Sequence, residues 1–296
     1  MAELLRSGVG GVSLRRMFEA GEMVLAPGCY DALGARLVEE AGFGAAYMTG
    51  FGSAASRLGR PDVGLMTLPE MVDNARRIAQ AVDIPVIADA DTGYGNPINV
   101  IRSVHEYEAA GVSAIHLEDQ VMPKKCGHMD GKQVVPAGEM AAKVAAAVAA
   151  RRSEDFLIIA RTDARAVEGL DAALQRARTY REAGADMLFV EAPQSGAEIE
   201  AVARAFPDVP LLFNYAEGGK TPAVTHAVLR ELGFRLVIFP LTILLSATVA
   251  IRSALARIKA DGTPIELMPS MLPFGDFLDF VGMPEICELE KRFADA

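Results

Sequence analysis

The chain has 296 residues, long for one ordinary domain but matched to a single α/β barrel, which runs to roughly 250 residues. Hydrophobic residues make up 51% and charged residues 23%, so a large core is expected and a disordered chain is excluded. Lysine and arginine number 29 against 39 acids, for a net charge of −10, and no basic run exceeds two residues. That balance argues against nucleic acid as a partner, and an anionic substrate must be met by local cations or a metal.

Three cysteines, Cys29, Cys126 and Cys287, are odd in number and far apart, which points to a reducing compartment rather than a disulfide framework. The opening "MAELLRSGVGGVSLRRMFEAG" has no apolar leader. The most hydrophobic stretch, 236–251, contains Pro240 and is too short to span a bilayer. A soluble, cytoplasmic protein is expected.

In chain order, eight short apolar runs predict strands: MVLAP (23–27), AAYMTG (45–50), PVIADAD (85–91), AIHLED (114–119), FLIIARTD (156–163), MLFVEA (187–192), PLLFNY (210–215) and RLVIFP (235–240). They are continuously apolar rather than alternating, as parallel strands covered on both faces should be. Helix-like segments lie between them, among them "DALGARLVEEAGF", "INVIRSVHEYEAAGV", "LDAALQRARTYREAGA" and "TPAVTHAVLRELGF", each with a glycine at its C-terminal end. The repeated "EAG" or "ELG" before a strand is a weak echo of one βα unit.

Eight strands with helical crossovers predict a (β/α)8 barrel over residues 1–296, with a doubly wound open sheet as the rival. The barrel is favoured because the runs end in chemically capable groups: Thr49, Asp89 and Asp91, Glu118 and Asp119, Arg161, Glu191 and Asn214. A barrel gathers these at one mouth. Residues 242–296 form a helical extension beyond what closes the barrel.

Asp89 and Asp91, two apart at a strand end, are expected on one strand face. With Glu118 and with Asp62 in "GRPDVG" they make four carboxylates without a cysteine–histidine cluster, a set suited to Mg2+ or Mn2+. A structural role as caps and turn residues is the competing reading. The glycines of "TGFGSAAS" and "TGYGNP" are read as tight turns presenting N–H groups to an anion. No acid closes a following strand at the distance that ribose binding needs, so a dinucleotide fingerprint is not supported. Arg161 offers a planar fork for a carboxylate, or a partner for Glu191 or Asp163. Asn214 is a donor to a substrate carboxylate or a turn residue.

Cys29 and Cys287 read as small buried hydrophobes. Cys126 differs, lying in the polar segment "PKKCGHMDGK" after the fourth strand, where a loop would hang over the mouth. A thiol there can give up a proton, with Lys124, Lys125 and His128 stabilising the thiolate, or act as a nucleophile.

"YDALGARLVEEAGF", "GRPDVGL", "ADADTGYGN", "HLEDQ", "PKKCGH", "IIARTDA", "FVEAP" and "NYAEGGKTP" together resemble the isocitrate lyase/phosphoenolpyruvate mutase superfamily. The resemblance implies a Mg2+-dependent barrel acting on α-keto or α-hydroxy acids, in tetramers that exchange a C-terminal helix between neighbours. It places Asp62, Asp89, Asp91 and Glu118 at the metal site, with Asp91 as the direct ligand. Tyr47, Thr49, Gly50 and Phe51 would cradle the substrate's carboxylate and oxygen, Thr49 and Phe51 departing from the usual serine or glycine. Arg161, Glu191 and Asn214 match substrate-binding positions, and Lys124, Cys126, Gly127 and His128 match the gating loop of the lyase branch. In that branch the loop cysteine protonates the product of carbon–carbon cleavage, while Tyr47 or a metal-linked carboxylate is the base. "MDGK" replaces an arginine-bearing segment, which favours an alkylmalate-like acid over methylisocitrate, with Lys132 as a substitute cation. Pro240 fits a lyase better than an oxaloacetate hydrolase. A phosphonomutase and a non-catalytic metal-binding scaffold are the alternatives.

Overall fold

The structure, a computed structural model, describes residues 13–294, so the expectation of no apolar leader falls mostly outside the described residues. All eight expected strands form: β1 Val24–Cys29, β2 Ala46–Met48, β3 Val86–Asp89, β4 Ala114–Glu118, β5 Leu157–Thr162, β6 Met187–Val190, β7 Leu211–Asn214 and β8 Phe234–Phe239. They close in sequence order into an all-parallel barrel, β1 pairing with β8, with helices between the strands. The open-sheet alternative is thereby excluded. Gly42, Gly111, Gly184 and Gly233, past four of the helices, have φ of 82°, 91°, 105° and 90°, a conformation costly for other residues.

Along each strand alternate side chains point into the barrel and out toward the helices. On β5, Leu157 and Ile159 join the inner core, whereas Ile158 and Ala160 join the outer one. Inner rows begin apolar and end in chemistry: Ala45–Tyr47–Thr49, Ile87–Asp89, Ala114–His116–Glu118, Leu157–Ile159–Arg161, Met187–Phe189–Glu191 and Leu212–Asn214. Register sets neighbours side by side, Asp89 with His116 and Glu118 with Arg161. Leu14, on the helix Leu14–Glu19, packs into the same inner core.

Three local expectations fail. Asp119 is one residue out of step with Glu118 and turns away from the mouth, where its carboxylate accepts from Thr162 Oγ1 at 2.7 Å, Tyr180 Oη at 2.7 Å and the Asp163 N–H at 2.9 Å. Asp91 does not share a strand face with Asp89, because β3 ends at Asp89 and Asp91 has a left-handed φ of 47°. Gly50 and Gly52 do not form a turn; they open the helix Gly50–Leu58, which Thr49 caps by accepting from the Gly52 N–H.

The chain divides into two compact units, the first closing at Leu244 and the second running from Leu245. The second carries the rest of the helix Thr242–Asp261 and the helices Phe274–Phe280 and Met283–Ala294, none with a buried side chain. Among the described residues no helix is long and apolar enough to cross a membrane.

Asp119 has no hydrophobic substitute, because its oxygens accept from four buried residues, Thr162, Tyr180, Asp163 and Arg176. Asp119→Ala is expected to lower the apparent unfolding free energy by about 3 kcal/mol, measured by urea denaturation.

Candidate active site

The inner rows meet in a pocket of about 190 Å³ at the C-terminal ends of the strands. It is lined by Tyr47, Thr49, Phe51, Asp62, Asp89, Arg161, Glu191 and Asn214 from the β2, β3, β5, β6 and β7 sides. Cys126, Gly127 and His128 line it from the loop after β4, and residues 216–219 with Pro240 and Leu241 complete the wall. Gly50, Asp91, Glu118 and Lys124, also expected at the site, stand behind this surface.

Lys124 is the centre of the acids. Its ammonium lies 2.6 Å from Asp62 Oδ1 and 2.7 Å from Asp91 Oδ1, with its side chain 1% exposed. Its charge is thus already paired with two carboxylates, a commitment that the expectation of a thiolate-stabilising lysine did not include. Lys125 is committed too, its Nζ donating to the carbonyls of Asp130 and Gly131. Burial pushes the Cys126 thiol up, offset only in part by a backbone hydrogen bond from His128, so the thiol is held protonated.

Arg161 is the pocket's guanidinium. Nη1 lies 3.0 Å from Glu118 Oε2, Nε bonds Asp163 Oδ2 at 2.9 Å, and Nε lies 3.4 Å from Glu191 Oε2. Both partners proposed from sequence are thus present together. Asn214 Nδ2 donates to both oxygens of Glu191, at 3.3 and 3.2 Å. The Nε2 of His128 sits 3.1 Å from Glu191 Oε1, and its Nδ1 accepts from the Lys220 N–H at 3.0 Å. Lys220 Nζ pairs with Asp130, which ties the loops after β4 and β7 together. Glu217, in the second loop, accepts from Leu241 N and Thr242 Oγ1.

Gly127 is required by close approach: a Cβ there would lie 2.6 Å from Arg161 Nη2 and from Glu191 Cγ. Lys132, expected as a substitute substrate cation, is turned away from the pocket onto Asp163 Oδ1 and the Gly127 carbonyl.

His116 was missed from sequence, where it reads as one more residue of an apolar run. Fully buried, its Nε2 lies 2.8 Å from Tyr47 Oη and 3.7 Å from Asp89 Oδ1. Burial pulls its pKa down to about 4, so the ring is neutral. Burial and the charge of Asp89 push the Tyr47 phenol well above its ordinary value. Position at the inward parity of β4 was the only signal that would have found His116.

Among the described residues no three metal-ligating side chains converge on one point. The acids nonetheless fit a hard cation. Glu118 Oε1 is buried without a hydrogen bond, Arg161 reaching only Oε2, and Asp91 Oδ1 is held by Lys124 alone. Burial pushes Glu118 well above the carboxylate range and Asp91 up to about 6. Around the mouth, buried Asp62, Asp89, Asp91, Glu118, Asp163 and Glu191 outnumber buried Lys124, Lys132 and Arg161. An all-oxygen donor set with surplus negative charge suits Mg2+.

Residues 14–259 match the family model described as phosphoenolpyruvate phosphomutase. The chain is 47% identical to 2,3-dimethylmalate lyase of Eubacterium barkeri, over 95% of this chain and 97% of that one. It is 45% identical to 2-methylisocitrate lyase of Aeropyrum pernix, over 96% and 90%. Among solved structures, 2,3-dimethylmalate lyase superposes with a TM-score of 0.90 at 40% identity, covering 94% of this chain and 93% of that one. Oxaloacetate acetylhydrolase with 3,3-difluorooxalacetate gives 0.89 at 39% identity, covering 96% of each. Phosphonopyruvate hydrolase with oxalate and Mg2+ gives 0.86 at 33% identity, covering 95% and 98%. Matched along nearly its whole length in sequence and in fold, the chain belongs to the phosphoenolpyruvate mutase/isocitrate lyase superfamily.

Proposed function

We propose that this protein is a Mg2+-dependent carbon–carbon lyase that cleaves a 2-hydroxy dicarboxylate of the alkylmalate type into an α-keto acid and a carboxylic acid. The observation that carries the reading is Cys126, a thiol kept protonated by burial at the pocket wall beside Arg161 and Glu191. Similarity to 2,3-dimethylmalate lyase and 2-methylisocitrate lyase supports the reaction class.

Asp91 would hold Mg2+ directly, with Asp89, Glu118 and Asp62 assisting through water, and the ion would supply Lewis-acid polarisation of the substrate's C1 carboxylate and C2 oxygen. The helix Gly50–Leu58 begins at the pocket, and the N–H groups of its first turn favour an anion there. Arg161 and Asn214 orient the substrate. Tyr47, whose phenolate is too costly in its buried position, serves as a neutral hydrogen-bond donor rather than as the base. A carboxylate of the acid cluster takes the C2 hydroxyl proton, the C2–C3 bond breaks, and its electron pair stays on C3 beside the second carboxylate. Cys126 gives its thiol proton to C3 while the loop keeps water out.

The substrate is small and partly apolar. The pocket is well under the roughly 300–1,000 Å³ typical of drug-sized ligands. Phe51, Ala216, Pro240 and Leu241 form its apolar wall, and Arg161 is the lone lysine or arginine among its lining residues. A third carboxylate would lack a cation. In a Mg2+-dependent screen, pyruvate or another α-keto acid is expected from 2,3-dialkylmalates at about 10²-fold higher kcat/KM than from methylisocitrate. Oxalate from oxaloacetate alone, or pyruvate from phosphonopyruvate alone, would replace this reading with a hydrolase or a phosphonate enzyme. Cys126→Ser is expected to lose about 10³-fold or more in kcat with substrate affinity nearly intact, and unchanged turnover would remove the cysteine from the mechanism.

Chelation with EDTA is expected to abolish turnover and added Mg2+ to restore it. By calorimetry, Asp91→Ala should bind Mg2+ at least about tenfold more weakly than the parent; equal affinity would exclude Asp91 as the ligand.

A homotetramer with an exchanged C-terminal helix fits the second unit, whose Val249, Phe274, Leu272 and Ile265 are 69%, 77%, 60% and 62% exposed. Sedimentation velocity is expected to give a tetramer, and a monomer at micromolar concentration would overturn this. A cytoplasmic enzyme is the corresponding location.

A further inference from the structure

We propose that Lys132 is a positioning residue for Cys126, its buried ammonium holding the Gly127 carbonyl against the Asp163–Arg161 pair so that the adjacent thiol is fixed over the reacting carbon. The proposal rests on the reading of Cys126 as the proton donor. Lys132 Nζ donates to Gly127 O and to Asp163 Oδ1, the latter at 2.8 Å. The two side chains of this ion pair are 1% and 0% exposed.

A lysine is not needed there to close the loop. Gln120 and Val134 already form an antiparallel bridge across its base. The Gln120 side chain brackets Lys125, donating to its carbonyl at 2.8 Å and accepting from its N–H at 2.9 Å. What Lys132 adds is a bond to the carbonyl of the residue that follows the cysteine. Gly127 sits so close to Arg161 and Glu191 that even a Cβ would clash. Consecutive Cα atoms are about 3.8 Å apart, so any lift of Gly127 carries Cys126 with it.

Asp163 makes the seat rigid. Its N–H donates to Asp119 Oδ1 at 2.9 Å, and its carboxylate takes Arg161 Nε at 2.9 Å and Nη2 at 3.2 Å. One buried carboxylate therefore anchors both the substrate-facing guanidinium and the lysine that holds the loop. Removal of the lysine leaves Asp163 paired with Arg161 and the loop's other ties in place, so the barrel survives while Gly127 and the neighbouring thiol lose their anchor.

The test compares the parent protein with Lys132→Met and Lys132→Arg. In one arm, kcat and KM are measured on a 2,3-dialkylmalate. In the other, without substrate, the rate of iodoacetamide labelling of Cys126 is read by peptide mass spectrometry. Lys132→Met is expected to lose about 10²-fold in kcat, the scale of an ångström-sized misplacement, with KM nearly unchanged. Its Cys126 is expected to label about tenfold faster or more, as local opening exposes the thiol. Lys132→Arg, which keeps the charge and donors, should recover most of both. If the folded Lys132→Met protein keeps the parent's kcat and labelling rate, the lysine is merely structural and the proposal falls. If Lys132→Met does not fold, Lys132→Gln takes its place with the same readings. If the parent turns over no alkylmalate, the function proposed above has failed, and the labelling ratio alone decides the role of Lys132.

Discussion

The molecule depends on one constraint: in a closed parallel barrel, every second side chain of every strand must point inward. The lower inner positions are filled by Leu14, Val24, Ile87, Leu157, Met187 and Leu236, which form a dry plug. Water reaches only the upper end, so the last inward position of each strand can be polar. Thr49, Asp89, Glu118, Arg161, Glu191 and Asn214 occupy those ends. The same alternation sends Asp119 outward, where it braces the strand β5 and the residues after it rather than doing chemistry.

Concentrating acids at one mouth is costly, because each ionised carboxylate taken from water needs a partner. Two cations act as hubs. Lys124 joins Asp62 to Asp91, and Arg161 joins Glu118, Asp163 and Glu191. The cations still fall short of the acids, and the shortfall appears at Glu118, whose Oε1 is buried without a hydrogen bond while Arg161 pairs with Oε2. That deficit is what supports the proposal of a divalent ion at the mouth. The loop after β4 is part of the same balance: it brings in Lys124 and Lys132 along with the thiol, so seating the loop and neutralising the acids are one event.

Much of this was legible in the residues. All eight strands are where continuous apolar runs placed them, because burial on both faces leaves a plain compositional mark. The positive-φ glycines past the helices were equally visible, since only glycine tolerates that conformation without penalty. Most of the polar residues near the mouth could be read from their position at strand ends, Asp119 and His116 being the exceptions. The partners they take there could not, as lysines 124, 125 and 132 show. All three are near Cys126 in the chain, and each turns its ammonium onto other acceptors.

The sequence by itself determined the strand count, the parallel barrel and most of the polar strand-end residues at its mouth, since these follow from local hydrophobicity and spacing. Only the tertiary structure decided how those residues are used. Asp91 reaches the acid cluster through a left-handed turn and not along a strand face. His116 is neutral because the barrel interior desolvates it, and Cys126 stays protonated because burial outweighs any nearby positive charge. Such properties depend on which groups, distant in the chain, are brought within a few ångströms and on how much water is left between them; neither is a function of sequence separation.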